Sequence, residues 1–216
     1  MKTKIIYICS DYAVVYKPFG FLSEEKEGEN SCPADIREYL LDNGVDNSEV
    51  FTVHRLDRTT DGVMLYALNK SAAAELTKII ADGGLHKTYR ALITPDEKLP
   101  EEGEMRDWLY FDRRRDKSFV VDGERRGAKL AVLEYRLGNV LEIKGKAVRE
   151  AVVKLKTGRT HQIRVQFASR KSPLVGDGKY GSRINFNGPS LTSVELEFDW
   201  RGEHKNYSID CQINNF

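Results

Sequence analysis

The chain has 216 residues, 40% of them hydrophobic and 31% charged, an ordinary globular composition with enough length for one sizeable core. No apolar run is long enough to cross a bilayer. The three cysteines, Cys9, Cys32 and Cys211, are scattered and form no Cys-x-x-Cys pair, which argues against a disulfide framework or a zinc site and fits a reducing cytoplasm. A net charge of +1 excludes a polycation, so a nucleic-acid partner has to be gripped by a local basic surface.

Met1 to Ile8 begins with positive charge, but its apolar stretch stops at Ser10-Asp11, too early for a signal peptide, and reads as a first strand. Ala13 to Tyr16 is a second strand, closed by the turn sequence Lys17-Pro18-Phe19-Gly20. Ser31-Cys32-Pro33 opens a helix in which Ile36, Leu40 and Leu41 keep helical spacing and Gly44 marks the end. Gly62 to Leu68 is a compact apolar run, expected as a buried strand. Lys70 to Ala81 is predicted as a helix with Ala72, Leu76, Ile79 and Ile80 on one face and Gly83-Gly84 as its stop. Strands are then expected over Lys87 to Thr94, Lys117 to Val121, Leu130 to Leu137, Val140 to Lys144 and Arg149 to Lys156, with the charged region Glu101 to Arg126 as a loop or flap. Thr160 is placed to cap a helix carrying Ile163 and Phe167 and ended by Pro173. Val194 to Trp200 and Tyr207 to Ile213 close the chain as strands, the latter with Tyr207, Ile209, Cys211 and Ile213 on one side. There is no internal repeat or linker. Strands joined by short turns predict one α+β domain over residues 1–216, built on an antiparallel or mixed sheet with flanking helices.

Four strings carry chemistry. Asp57, in His54-Arg55-Leu56-Asp57-Arg58-Thr59-Thr60, sits between two arginines and ahead of two threonines. Neighbouring cations and hydroxyl donors favour an ionised carboxylate, the form that attacks a sugar carbon. Taken alone, such a string is more often a surface ion pair. In Lys87-Thr88-Tyr89-Arg90-Ala91-Leu92, strand alternation sets Tyr89 beside Ala91, and a tyrosine ring can stack on an extruded base, although core packing is the commoner use. Gly158-Arg159-Thr160 leads into a helix start where backbone N–H groups and Arg159 can hold a phosphate, and Arg164 lies in the first turns. Pro173 to Gly181 is a glycine-rich loop that alone reads only as a turn. Basic residues gather at Arg113-Arg114-Arg115, Arg125-Arg126 and Lys129, after Trp108, Tyr110 and Phe111, and the stretch Arg113 to Lys129 is the candidate grip for a nucleic acid, although a charge run is more often a solvated face. No His-Glu-x-x-His, P-loop or Gly-x-Ser-x-Gly motif is present, and the four histidines are too dispersed to suggest a metal.

Taken in order, these strings resemble the RluA-type family of RNA pseudouridine synthases: Lys17-Pro18-x-Gly20, His54-Arg55-Leu56-Asp57-x-x-Thr60-x-Gly62, Lys87-x-Tyr89-x-Ala91-Leu92, Gly158-Arg159-Thr160-His161-Gln162-Ile163-Arg164 and Gly176-Asp177-x-x-Tyr180-Gly181. The resemblance spans most of the chain. It implies a pseudouridine synthase fold, a bent mixed sheet with a central cleft, and cofactor-free isomerisation of uridine in ribosomal or transfer RNA. Asp57 takes the place of the catalytic aspartate. Tyr89 matches the tyrosine against the target base, Arg164 the arginine paired with the acid, Val165 the apolar residue after it, and Arg55 the arginine near the flipped nucleotide. His54, Thr60 and Arg159 join them as substrate-binding candidates. No separate RNA-binding domain of the S4 type fits ahead of Lys17, and no membrane or obligate protein partner is inferred.

The chain departs from the family at Asp61, where serine is usual, and at Gln166, where histidine is frequent. Asp61 brings an extra negative charge near Asp57. Two other readings follow from these residues: a catalytically silent RNA-binding protein of the same fold, and a hydrolase using Asp57 with Asp61 as its two carboxylates.

Overall fold

The computed structural model describes residues 2–46 and 49–210. In chain order the elements are β1 (Lys4–Ile8), β2 (Tyr12–Lys17), α1 (Cys32–Asp42), β3 (Phe51–Thr52), β4 (Asp61–Ala67), α2 (Lys70–Ala81), β5 (His86–Ile93), β6 (Glu102–Asp112), β7 (Lys117–Val121), β8 (Ala128–Ile143), β9 (Lys146–Leu155), α3 (Gln162–Ser169), β10 (Leu191–Trp200) and β11 (Glu203–Ser208). Strands pair both parallel and antiparallel, and three α-helices accompany them among the described residues, which makes the class α+β with a mixed sheet. The chain divides into two compact units, one of residues 1–87 with 192–216 and one of residues 88–191.

In the first unit the strand order is β1-β2-β4-β10, with β11 on β10 and β3 on β4. β4 reads as an unbroken apolar run because it is buried on both faces, with Val63 to Ala67 fully covered. Its last residues pair with β3 and its first two, Asp61 and Gly62, pair in parallel with Thr192 and Ser193 of β10. Only glycine fits the second position: Gly62 has φ +116°, and a Cβ there would lie 2.1 Å from the Ser193 carbonyl oxygen. The core gathers Tyr12, Val14, Val63 and Leu65 with Ala72 and Leu76 of α2 and with Leu196, Phe198 and Trp200 of β10. α2 starts where Asn69 accepts from the Ala72 N–H at 2.8 Å, a cap worth about 1 kcal/mol. Tyr207 falls in β11 as expected, while Cys211 and Ile213 lie outside the described residues.

In the second unit the order is β5-β9-β8-β6-β7. Two expectations are corrected here. The region taken as a loop or flap holds β6, an eleven-residue strand paired with both β7 and β8. Its inner face is Met105, Asp107 and Leu109, and the middle position is polar because Asp107 receives Gln166 Nε2 at 2.6 Å and Arg170 Nη1 at 2.9 Å. Second, the two strands expected over Leu130 to Leu137 and Val140 to Lys144 are one long strand, β8, which ends at Ile143. Gly138-Asn139 is a bulge, with both residues set against Glu150 between the Leu137–Ala151 and Val140–Arg149 pairs. α3 packs on β6 and β8 through Val165, which clusters with Leu109, Ala131 and Tyr180, and through Gln166. That glutamine is fully buried and also donates to the carbonyls of Met105 and Ala131.

Candidate active site

The Asp57 loop joins β3 to β4 and is fastened at several points, all within the first unit. Ser23 Oγ donates to the Leu56 carbonyl at 2.9 Å and accepts the Leu56 N–H at 3.0 Å, so both backbone groups of the residue before Asp57 are satisfied by one hydroxyl. Ser23 is itself fixed, because its carbonyl accepts from Tyr66 Oη at 3.0 Å and Thr52 Oγ1 at 3.1 Å. On the other side of Asp57, the Arg58 carbonyl accepts from the Gly20 N–H at 2.9 Å and from Lys17 Nζ at 3.3 Å. Lys17 is wholly buried and also donates to the carbonyls of Pro18 and Phe21. The Lys17-Pro18-x-Gly20 string therefore works as a clamp on the Asp57 loop. The Thr60 N–H closes the turn on the Asp57 carbonyl at 3.0 Å. The result is a half-buried Asp57 on a backbone with little freedom, the rigid support a reacting carboxylate requires.

The other predicted residues of this loop take distinct places. Arg55 is exposed and meets Glu24 at 3.3 Å, a weak pair that a phosphate can displace. Thr60 is buried. His54 points inward rather than outward: it is buried, and Nε2 accepts the Leu65 N–H of β4 at 3.0 Å. Burial first, and the charge of Lys87 second, hold its pKa well below the ordinary histidine range. His54 is thus a neutral latch between loop and strand, a positioning group more than one offered to RNA.

Asp61 has a defined structural place. Tyr16 Oη donates to one of its oxygens at 2.6 Å and Thr192 Oγ1 to the other at 2.7 Å. It also exerts a favourable charge effect on Lys17. With both oxygens taken by hydroxyl donors, Asp61 is poorly suited to serve as the second carboxylate of a hydrolase.

In the second unit, Tyr89 of β5 is buried, as are Arg164 and Val165 of α3. The Arg164 guanidinium forms a two-point bridge to Asp177, Nε to Oδ2 at 2.7 Å and Nη2 to Oδ1 at 2.8 Å, with side-chain exposures of only 6% and 1%. The Tyr180 ring lies 5.1 Å from the same guanidinium, and Tyr180 Oη accepts the Ser118 N–H at 2.8 Å and meets His161 Nδ1 at 3.0 Å. Burial raises the Tyr180 phenol to about 12, so it stays protonated. The string that read as a bare turn, Gly176-Asp177-x-x-Tyr180, thus supplies the residues that hold Arg164. The signal in the sequence was an acid and an aromatic at fixed offsets inside a glycine loop, residues a plain turn does not need. Gly176 has φ +78°, and a Cβ there would sit 2.1 Å from the Gly188 carbonyl oxygen, so this turn too is closely packed.

Arg159 donates through Nε to the Leu130 carbonyl at 2.9 Å, and its N–H reaches Gln162 Oε1 at 3.0 Å. The expected cap is shifted by one residue. His161, with φ +55°, is the N-cap of α3 and uses no side-chain cap bond, while the Thr160 carbonyl accepts from Ser118 Oγ.

Residues 11–169 match the family model described as RNA pseudouridylate synthase. A tRNA pseudouridine synthase C from Vibrio cholerae is 30% identical over 192 residues, 84% of this chain and 75% of the relative. A ribosomal large subunit pseudouridine synthase D from Pseudomonas aeruginosa is 31% identical over 205 residues, 91% of this chain and 58% of the relative. Among solved structures, human RNA Pseudouridylate Synthase Domain Containing 1 has a TM-score of 0.79 at 20% identity, covering 97% of this chain and 84% of that one, a likeness of fold. The chain belongs to the RNA pseudouridylate synthase family.

Proposed function

We propose that this protein isomerises uridine to pseudouridine in cellular RNA of the transfer or ribosomal class, with Asp57 as its catalytic carboxylate, in the cytoplasm and as a single catalytic domain. The observation that carries the reading is the Asp57 loop, held by Ser23, Lys17 and Gly20 on its backbone while the carboxylate-bearing residue keeps partial exposure.

The target uridine leaves its stack, because C1′ and C5 are out of reach inside a helix, at a cost on the order of a few kcal/mol. Arg55 braces the vacated position. Asp57 acts as the C1′–N1 bond breaks, by attack at C1′ or by assisting elimination to a glycal; positive charge developing at C1′ favours a nearby carboxylate. The freed uracil turns, C1′ bonds to C5, the C5 proton is released and N1 takes up a proton, so mass and strand length are unchanged. By resemblance, Tyr89 retains the detached base and Arg164 is the partner of the acid, with Val165 packing behind it. Arg159 is assigned to a phosphate of the same RNA.

The test is tritium release from RNA labelled at uridine C5, with carbodiimide and primer-extension mapping of cellular RNA in the presence and absence of the protein. Release together with a mapped pseudouridine is expected. Free uracil or a cut strand points to a hydrolase, and RNA binding without any release points to a silent binding protein.

A further inference from the structure

The three-stranded face formed by β6, β7 and β8 carries a second feature that the catalytic reading leaves unused. Met105, Asp107 and Leu109 turn toward α3, so strand alternation sends Trp108 and Tyr110 to the opposite side. Register places Phe119 directly across from Tyr110, and Val121 and Leu130 on either side of Trp108. All three aromatic residues are partly exposed. Trp108 and Tyr110 stand about 6.8 Å apart along the strand, so each ring can take its own base.

Cations gather on the same rings. The Arg125 guanidinium lies 5.3 Å from the Tyr110 ring centroid, and Lys117 Nζ, which donates to the Lys179 carbonyl at 2.6 Å and lies 5.0 Å from the Tyr180 ring, borders Phe119 at 5.8 Å. Arg126 is exposed next to Arg125, Arg113 to Arg115 are exposed in the β6–β7 turn, and Arg106 is exposed two residues before Trp108. The β7–β8 turn is shaped around Tyr110: a Cβ on Gly127 would come 3.3 Å from the ring edge, and its φ of +84° is glycine's own region.

We propose that this face binds an unpaired RNA segment, its bases on Trp108, Tyr110 and Phe119 and its phosphates against Arg125 and Arg126. Aromatic rings interleaved with basic side chains are the chemistry of single-strand binding. Stacking accepts any base, and the cations supply a salt-dependent hold on the backbone. The inference rests on the proposed RNA substrate and deepens it, because it gives the enzyme a grip on RNA outside the target uridine that is not sequence-specific. Acidic side chains at the far end of the same face, Glu102 and Glu104 of β6 and Glu134 of β8, limit the strand to the arginine end.

The chain has two tryptophans, and Trp200 is buried in the first unit, so the Trp200→Phe protein reports on Trp108 alone. Titration with 3′-fluorescein-labelled dodecauridylate should quench that fluorescence, while a blunt twelve-base-pair RNA duplex should quench it far less. Arg125→Glu with Arg126→Glu, both exposed and safe for folding, should weaken dodecauridylate binding by anisotropy about tenfold or more, and Tyr110→Leu by a similar factor. Absence of quenching, or binding that survives the charge reversal, overturns the platform. Tritium release from cellular RNA separates the two ideas: if it persists while the platform tests fail, only the platform is lost, and if no RNA gives release, the synthase reading fails with it.

Discussion

Arg164 and Asp177 face each other in a closed, two-point ion pair at 2.7 and 2.8 Å, both side chains almost wholly out of water. Such a pair is costly to desolvate, and its gain depends on the planar fork meeting both carboxylate oxygens. Removing either side chain strips two charge-assisted hydrogen bonds from a buried, charged partner. Asp177→Ala should therefore lose about 3–5 kcal/mol in urea denaturation. Arg164→Lys keeps the charge and loses the fork, so a smaller loss of stability with a clear fall in tritium release is expected. Wild-type turnover in Arg164→Lys would separate this arginine from catalysis.

Ser23 touches no predicted catalytic atom, yet its hydroxyl satisfies both backbone groups of Leu56. Ser23→Ala leaves a buried N–H and a buried carbonyl without their partner, a cost on the order of 1–3 kcal/mol. If the hydroxyl positions Asp57, single-turnover kcat should drop at least tenfold while RNA affinity stays near wild type. An equal loss in affinity, or none in kcat, would reduce Ser23 to a structural residue.

The periodic parts of the chain were legible because their own spacing decides them. α2 covers Lys70–Ala81 as its apolar face predicts, and β4 shows itself by an unbroken apolar run. The string His54 to Asp57 singled out Asp57 as the candidate acid, and the structure sets it on a loop held by Ser23, Lys17 and Gly20. What stayed hidden was decided by distant partners. Asp107 interrupts the apolar alternation of β6 because Gln166 and Arg170 come to meet it, and a single sequence does not display that meeting. Gly138-Asn139 has the composition of a turn, and only the pairing of β9 on both sides makes it a bulge. Lys17 and Asp177 were noticed as motif members, but their work lies in contacts 41 and 13 residues away, to Arg58 and Arg164.

Asp57→Ala removes the proposed catalytic group and leaves the loop's backbone bonds in place. Tritium release should fall by about 10⁴-fold or more, with RNA binding by anisotropy changed less than about threefold, since a carboxylate adds little to holding a polyanion. Residual turnover within tenfold of wild type would remove Asp57 from its role.

Lys17 predicts an alkaline limit. Burial pulls its pKa from 10.5 to about 8, against the charges of Cys32, Asp61 and Asp57, which raise it, and with that of Arg58, which lowers it further. Between about pH 8 and 10.5 the folded protein has released this proton and the unfolded chain still binds it. By linkage this group alone makes folding more favourable as pH rises through that window. Function runs the other way, because the neutral amine has two N–H donors for the carbonyls of Pro18, Phe21 and Arg58. Single-turnover rate should therefore fall on a limb near pH 8, with no matching loss in urea stability. A rate that stays flat to pH 9.5 would detach the clamp from catalysis.

Asp61→Ser puts in the residue that the resemblance led one to expect and tests the same clamp from the other side. The variant gives up the two hydroxyl bonds from Tyr16 and Thr192 and removes a negative charge that favours protonated Lys17. Lys17 should then lose its proton at lower pH, and the alkaline limb of the rate should move below the wild-type position. At pH 6, where Lys17 remains charged in either protein, the two rates should lie within a few-fold of each other. A limb that stays in place shows that Asp61 does not act through Lys17. A deep loss of rate at pH 6 assigns the carboxylate a direct part in holding the β4 end of the Asp57 loop.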